Sequence, residues 1–234
     1  MSSSRSGVLR PRPPLSAPAS GPGRGLLAGV CALLSAAAAG DLFSLYAGVR
    51  AHSAVDGDGE FAFVSEDRWA ALDMLFVRVN QVQVLAFVAC AAVFITWFHQ
   101  VRRRAGALEP AGFRSGPGWA VGAWFVPVAC FWLPYRIAVQ AWTAGLRGAK
   151  GAFWPVNLWW ASFACSVMLG QYASLRYRRA EDLGAFVDAV TLGMVADALN
   201  IVAAGAAVYF AVRLTRMLAP GDNPAQPAQP PRNA

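Results

Sequence analysis

The sequence predicts an all-α integral membrane protein, a bundle of five transmembrane helices with disordered termini. Of the 234 residues, 56% are hydrophobic and only 14% are charged, whereas ordinary soluble domains are roughly 25% charged. The mean hydropathy is positive, at +0.40. A chain of this composition has too little polar surface to cover a soluble globule of its size, which argues against a soluble single-domain enzyme.

Five apolar runs carry the prediction of membrane spans, because a hydrocarbon core of ~30 Å needs a helix of ~20 mostly apolar residues. In each run the apolar residues go all the way round the helix, which is typical of a helix surrounded by lipid or by other helices. Together they form a transmembrane domain over residues 25–217, with Glu66–Asn80 expected to be helical and to lead into the second span. The predicted spans are about Gly25–Val49, Val79–His99, Gly118–Thr143, Val156–Leu175 and Asp188–Val212.

The two ends of the chain have a different composition. Residues 1–24 are rich in Ser, Pro, Gly and Arg and contain no acidic residue, and residues 218–234 are rich in Pro. Neither end has enough apolar surface to offset the entropy of ordering, so both are expected to be disordered. The first apolar run is longer than the 7–15 residues of a signal-peptide core, so it is expected to remain as a span.

The distribution of Arg and Lys sets the expected orientation, since these residues accumulate in cytoplasmic segments. With five crossings, the basic N-terminal tail, the Arg-rich segment after the second span and the segment after the fourth lie on one side, which predicts a cytoplasmic N-terminus and an external C-terminus. A rival topology has four crossings and a re-entrant third segment, because Pro127 and Pro134 each remove a backbone donor. Five crossings are preferred, because a kinked helix as long as Gly118–Thr143 spans easily.

The third segment is the most informative part of the chain. Pro134 is expected to kink a long helix and to turn Arg136 about its axis. Trp119 and Trp142 lie near its two ends, where Trp side chains usually anchor a helix at the headgroups. An aromatic belt is therefore the expected role of these tryptophans, and Trp154, Trp159 and Trp160 would mark the start of the fourth span.

Prolines and aromatic residues recur through this segment in a fixed order, at Pro117, Trp119, Trp124, Pro127, Pro134, Tyr135 and Trp142. This order resembles that of a bacterial membrane protein family, "domain of unknown function 4328". The resemblance covers roughly residues 80–215 and implies a polytopic protein of the bacterial plasma membrane, with no activity implied. Ala129-Cys130 stands where Ala-Asn is common, and Gly106 lies near a usual Asn, so no role of those amides carries over.

Ionisable residues inside spans are costly and usually face a partner or a cavity. Counting along the helices places Asp41 roughly 24 Å and Arg136 roughly 27 Å from the inner edge. The matching depths predict an Asp41–Arg136 pair, with Arg78 and Asn80 entering from outside at nearly the same level. The alternative is that each charged side chain extends separately to the outer headgroups.

A second polar position lies near the midplane. Asp197 is roughly 14 Å into the fifth span, and Asn200 follows one turn later on the same face. Hydrogen bonding between helices is the preferred interpretation of this position. The alternative is a proton or cation relay, because transporters often keep carboxylates at this depth.

No motif predicts catalysis, a metal site or a cofactor. HExxH, GxSxG, Walker and GxGxxG patterns are absent, and Cys31, Cys90, Cys130 and Cys165 lie in apolar runs without CxxC spacing. The run Arg102–Arg104 directly follows a span, so topology explains it better than nucleic-acid binding. The sequence therefore favours a non-enzymatic accessory, regulatory or assembly component whose partners are the lipid bilayer, other membrane proteins or further copies of itself. The alternative is a small oligomeric transporter or channel protomer that uses a mid-membrane carboxylate.

Overall fold

The computed structural model describes residues 23–56 and 66–219, without the side chains of residues 50–56, 66–80, 82, 83 and 183. Within this part every regular element is helical. Two short 3-10 turns, Pro110–Gly112 and Ala129–Phe131, accompany the α-helices. The helices are α1 (Arg24–Asp56), α2 (Glu66–Leu108), α3 (Trp119–Gly122), α4 (Leu133–Leu146), α5 (Trp154–Arg178) and α6 (Leu183–Leu218). The expected helix from Glu66 into the second span is confirmed, and the two tails expected to be disordered lie almost entirely outside the described residues.

Among the residues that the structure describes, three helices are long and apolar enough to cross a membrane. They are α1 over Arg24–Val49, α2 over Val84–Leu108 and α6 over Gly184–Leu218. Helix α5 has the length, at 25 residues, but it is less apolar because it also contains Asn157 and Gln171. The all-helical, membrane-compatible character is therefore confirmed, whereas the predicted bundle of five spanning helices is not.

Helix α6 runs opposite to both of its main neighbours. Asp41 of α1 bonds to Asn200, whereas Gly48, later in α1, lies against Met194, which is earlier in α6. Along α5, the first residue, Trp154, stacks on Tyr209, and Tyr177 near its end contacts Phe186 near the start of α6. Five crossings would make α1 and α6 parallel, so the observed directions contradict that prediction.

One half of the bundle, named here the proximal half, collects the start of α1, the end of α2, the start of α5 and the end of α6. Gly29 of α1 lies beside Val93 of α2. Trp97 of α2 donates a hydrogen bond from Nε1 to Oγ1 of Thr215, at 3.1 Å, and Phe94 contacts Trp159 of α5. Helices α1, α2, α5 and α6 therefore alternate in direction.

The predicted third span is not one helix. Helix α3 is only four residues long, the chain then passes through turns around Pro127, and α4 starts at Leu133. Pro134 lies in the first turn of α4, where its missing N–H needs no partner. The predicted kink is therefore wrong, because two prolines seven residues apart stop a helix here and start a new one.

Residues 109–153, named here the returning segment, start in the proximal half, turn within it and end there. Nδ1 of His99 is 3.2 Å from the carbonyl oxygen of Pro117. The Trp124 ring then contacts Phe94, which is about one and a half turns nearer the middle of α2 than His99. Gly145, near the end of α4, lies against the last turns of α6. This path agrees with the re-entrant alternative and not with a fifth crossing.

The interior of the proximal half is an aromatic core. The Trp159 ring stacks on Phe210 with centroids 5.1 Å apart, and Trp142 stacks on the same ring. Trp142 is 3% exposed and Trp159 is 4% exposed, so neither anchors a helix at headgroup level and the aromatic-belt prediction is wrong for both. The core consists of Phe94, Trp97, Phe98, Trp124, Trp142, Trp159 and Phe210.

Candidate intramembrane polar site

The polar site depends on a close approach of α1 and α6. A Cβ atom on Gly48 would come within 2.7 Å of the Met194 side chain. Small residues permit such short distances between helices that have no hydrophobic driving force in lipid. The approach brings polar side chains of α1 and α6 within hydrogen-bonding reach.

Asp41 and Asn200 form the centre of the site. Nδ2 of Asn200 donates to Oδ2 of Asp41 at 2.6 Å, between residues 159 apart in sequence. Asp41 is 5% exposed. A hydrogen bond to a carboxylate is short and strong, and inside an apolar region it satisfies groups that would otherwise be costly. The structure therefore joins Asp41, which was predicted to pair with Arg136, to Asn200, which was predicted to lie beside Asp197.

Asp197 lies one turn before Asn200 on α6. Its half-buried side chain lines an open groove of about 410 Å³ between α5 and α6. Ser174, Tyr177 and Arg178 supply the other polar groups of the groove. The walls are formed by small or apolar residues, namely Gly170, Ala173, Ala189, Val190, Gly193 and Ala196.

The structure does not bring Asp41 and Arg136 together. Arg136 is exposed on the first turn of α4, and the two residues form no ion pair. The prediction of this pair is wrong because the depth of Arg136 was counted along a continuous third helix. An ion pair that the structure does show joins Arg176 of α5 to Asp188 of α6, at 4.0 Å and exposed.

Arg78 and Asn80 complete the predicted set. Their backbone belongs to α2, and their side chains lie outside the described residues. Their part in the site stays a prediction.

The family-motif residues hold the returning segment in place. The Tyr135 hydroxyl donates to Oδ1 of Asn157 at 2.9 Å, which links α4 to α5. The carbonyl oxygen of Pro127 accepts a hydrogen bond from Sγ of Cys130 at 2.9 Å. Pro134 is fully buried, whereas Trp119 is 45% exposed. These contacts give the motif a packing role.

Arg102 has a structural role that topology alone did not predict. It is 5% exposed, and Nη2 donates to the carbonyl oxygen of Ser115 at 2.5 Å. Its guanidinium lies 3.6 Å from the centroid of the Phe113 ring. A Cβ atom on Gly106 would collide with Nη1 of Arg102. The sequence signal was therefore a glycine one turn after an arginine, which leaves room for the side chain to fold back.

Residues 61–216 match the family model described as "Domain of unknown function (DUF4328)". No curated protein and no solved structure matches the chain. The matched range starts at residue 61, whereas the motif residues indicated a start near residue 80. It includes Asp197 and Asn200 but not Asp41, which α1 supplies from outside that range. The chain therefore belongs to the DUF4328 family.

Proposed function

We propose that the protein is a multi-pass protein of the bacterial plasma membrane with a cytoplasmic N-terminus, and that it acts as a non-enzymatic accessory, regulatory or assembly component. The membrane assignment is supported by three helices of sufficient length and hydropathy. The orientation is supported by the four Arg residues of the N-terminal tail.

The hydrogen bond between Asp41 and Asn200 is the observation that carries the non-enzymatic role. A carboxylate that is 5% exposed and bonded at 2.6 Å to an amide stabilises the contact between two helices. Interhelical hydrogen bonds of this kind contribute on average about 0.6 kcal/mol in membrane proteins. The best-buried polar side chain of α1 is thus used for assembly of the bundle.

A flux measurement on purified protein in sealed vesicles tests this role. Proton and monovalent-cation flux are expected to equal those of protein-free vesicles, both for the wild type and for Asp197→Asn. The variants Asp41→Ala and Asn200→Ala are expected to lower the melting temperature in detergent. A flux in the wild type that Asp197→Asn abolishes would contradict the accessory role.

The groove beside Asp197 favours a second candidate function, a small oligomeric transporter or channel protomer. Its carboxylate lies in the same groove as the Ser174 and Tyr177 hydroxyls, and mid-membrane carboxylates serve as ion sites in transporters. Asp188→Asn is the matched control, since Asp188 is exposed on the same helix and does not line the groove. The transporter candidate requires that Asp197→Asn lowers flux while Asp188→Asn leaves it unchanged.

Partners of an accessory component are other membrane proteins or further copies of the chain. Two copies with different affinity tags, produced in one cell and extracted in mild detergent, distinguish these cases. Recovery of one tag with the other establishes a homo-oligomer. Recovery of a single tag leaves other membrane proteins as the partners.

A further inference from the structure

The tip of the returning segment is apolar and exposed. Phe125 is 73% exposed, Val128 66% and Phe131 56%. No charged residue occurs between Trp119 and Tyr135. A cluster of large apolar side chains open to the surroundings indicates an interaction surface.

The tip lies well inside the length of its neighbouring helices. The Trp124 ring contacts Phe94 of α2 and Phe163 of α5, with centroids 6.1 and 6.3 Å away. Phe94 precedes Arg102 by eight residues, which corresponds to roughly 12 Å along the helix. Half of a hydrocarbon core is about 15 Å. The segment therefore reaches a depth comparable to one leaflet.

Basic residues flank the segment on both sides of its apolar part. Arg103 and Arg114 are exposed before it, and Arg147 and Lys150 are exposed after it. Such cations interact favourably with anionic lipid headgroups. The buried Arg102 additionally fixes the start of the segment through Ser115. These basic residues thus mark the headgroup level at which the returning segment would enter and leave the hydrocarbon.

Much of the tip backbone is hydrogen-bonded locally, which lowers the cost of placing it in hydrocarbon. Pro127 and Pro134 have no N–H group. The N–H groups of several neighbours donate to carbonyl oxygens three or four residues earlier, namely those of Trp124, Phe125, Cys130, Phe131, Trp132 and Arg136.

The geometry points to a re-entrant hairpin, formed by residues 119–146, whose tip inserts into the acyl chains of the leaflet at the proximal half. The surface has one occupant, the lipid hydrocarbon, and the chain crosses the membrane four times with both ends on the same side. This inference rests on the membrane assignment proposed above. Arg136 is the one charged residue in the hairpin, and its exposed side chain is long enough to reach toward the headgroups.

Thiol labelling of single-cysteine variants tests the insertion. The four native cysteines are replaced by Ala, and Phe125→Cys, Val128→Cys or Ala149→Cys is introduced. Ala149 is the matched control, because it is exposed between Arg147 and Lys150. Proteoliposomes opened by freeze–thaw, so that both faces are accessible, receive a membrane-impermeant maleimide.

Cysteines at 125 and 128 are expected to react about tenfold or more slowly than cysteine at 149, because the reactive thiolate is disfavoured in hydrocarbon. All variants are expected to react fully in SDS. Labelling at 125 and 128 as fast as at 149 would overturn the insertion. Two positions are used so that one poorly folded variant does not decide the result.

A fourth variant, Val88→Cys, separates the two proposals, since Val88 is 57% exposed on α2 within one of the three helices that support the membrane assignment. If cysteine at 88 is protected while cysteine at 125 reacts fast, only the hairpin inference fails. If cysteine at 88 also reacts fast, the membrane assignment itself fails. Reporter fusions at the two ends of the chain supply an independent readout. They are expected on the same side, and opposite sides would overturn the four-crossing topology.

Discussion

The α1–α6 contact and the aromatic core stabilise one bundle in opposite ways. Between α1 and α6, Gly48 leaves no room for a Cβ atom beside Met194, and Asp41 bonds to Asn200. In the core, the largest fully buried side chains are Trp97, Phe98 and Phe210. The first contact is built from small and polar groups, the second from large rings.

The difference follows from the backbone that each contact must accommodate. Two long helices approach closely along a line, so small residues and one hydrogen bond determine their register. The returning segment is irregular between α3 and α4, and large rings fill the uneven space beside it. The α1–α6 contact therefore depends on where the small and polar residues lie along the helices, whereas the stability of the core depends on the volume of its rings. Variants that change one of these properties at a time test this comparison.

Phe210→Ala is expected to have the largest effect. The ring is fully buried and contacts Trp97, Trp142 and Trp159. Its removal leaves a cavity, so the free energy of unfolding is expected to fall by about 3–5 kcal/mol. Unfolding in mixed micelles measures the change. Phe125→Ala is the control, and an equal loss there would show that ring burial does not determine stability.

Gly48→Leu is expected to lower stability by about 1–3 kcal/mol, because the added side chain overpacks the contact with Met194. Gly40→Leu on the same helix is the matched control, since a Cβ atom there meets nothing within 4 Å. Detergent melting curves compare the two variants. Equal melting temperatures would mean that the α1–α6 distance is not limited at Gly48.

Asp41→Ala and Asn200→Ala are expected to destabilise the protein and to be coupled. A double-mutant cycle over the two variants should give a coupling energy of about 0.6 kcal/mol, within the range known for interhelical hydrogen bonds. The cycle is measured by unfolding in mixed micelles. Strictly additive losses would contradict a direct bond between the two side chains.

Arg176→Gln is expected to have the smallest effect. Its ion pair with Asp188 is 4.0 Å long, with side chains 45% and 71% exposed, and exposed pairs contribute about 0–1 kcal/mol. The melting temperature in detergent should be nearly unchanged at moderate salt. A large fall in melting temperature would mean that this ion pair stabilises the α5–α6 contact, which would contradict the view that small residues and ring packing stabilise the bundle.

The long apolar helices α1, α2 and α6 could be predicted from the sequence, because hydropathy over a span length needs only composition. The path of residues 118–143 could not, because a window of apolar residues has the same hydropathy whether it crosses or turns back. Pro127 and Pro134 carried the missing information. They were interpreted as kinks, whereas together they interrupt the helix.

The candidate site was predicted in separate pieces. Asp41, Asp197 and Asn200 were selected because polar groups inside apolar runs need partners. Asp41 was paired with Arg136 because the third segment was counted as one continuous helix. Its bond to Asn200 was missed because an odd number of crossings makes α1 and α6 parallel. An even number reverses α6, and the sequence alone offered no distance between residues 41 and 200. The fold-back of Arg102 onto Phe113 depends equally on a turn that hydropathy does not reveal.

The bond between Asp41 and Asn200 also has a consequence for biogenesis. The two residues are 159 positions apart, and ribosomes add roughly 5–20 residues per second. Asp41 is therefore made roughly 8 to 32 seconds before Asn200. Until α6 is made, the carboxyl group of Asp41 lacks the partner that it has in the folded protein. Completion of α6 is thus the step that gives the contact between α1 and α6 its hydrogen bond.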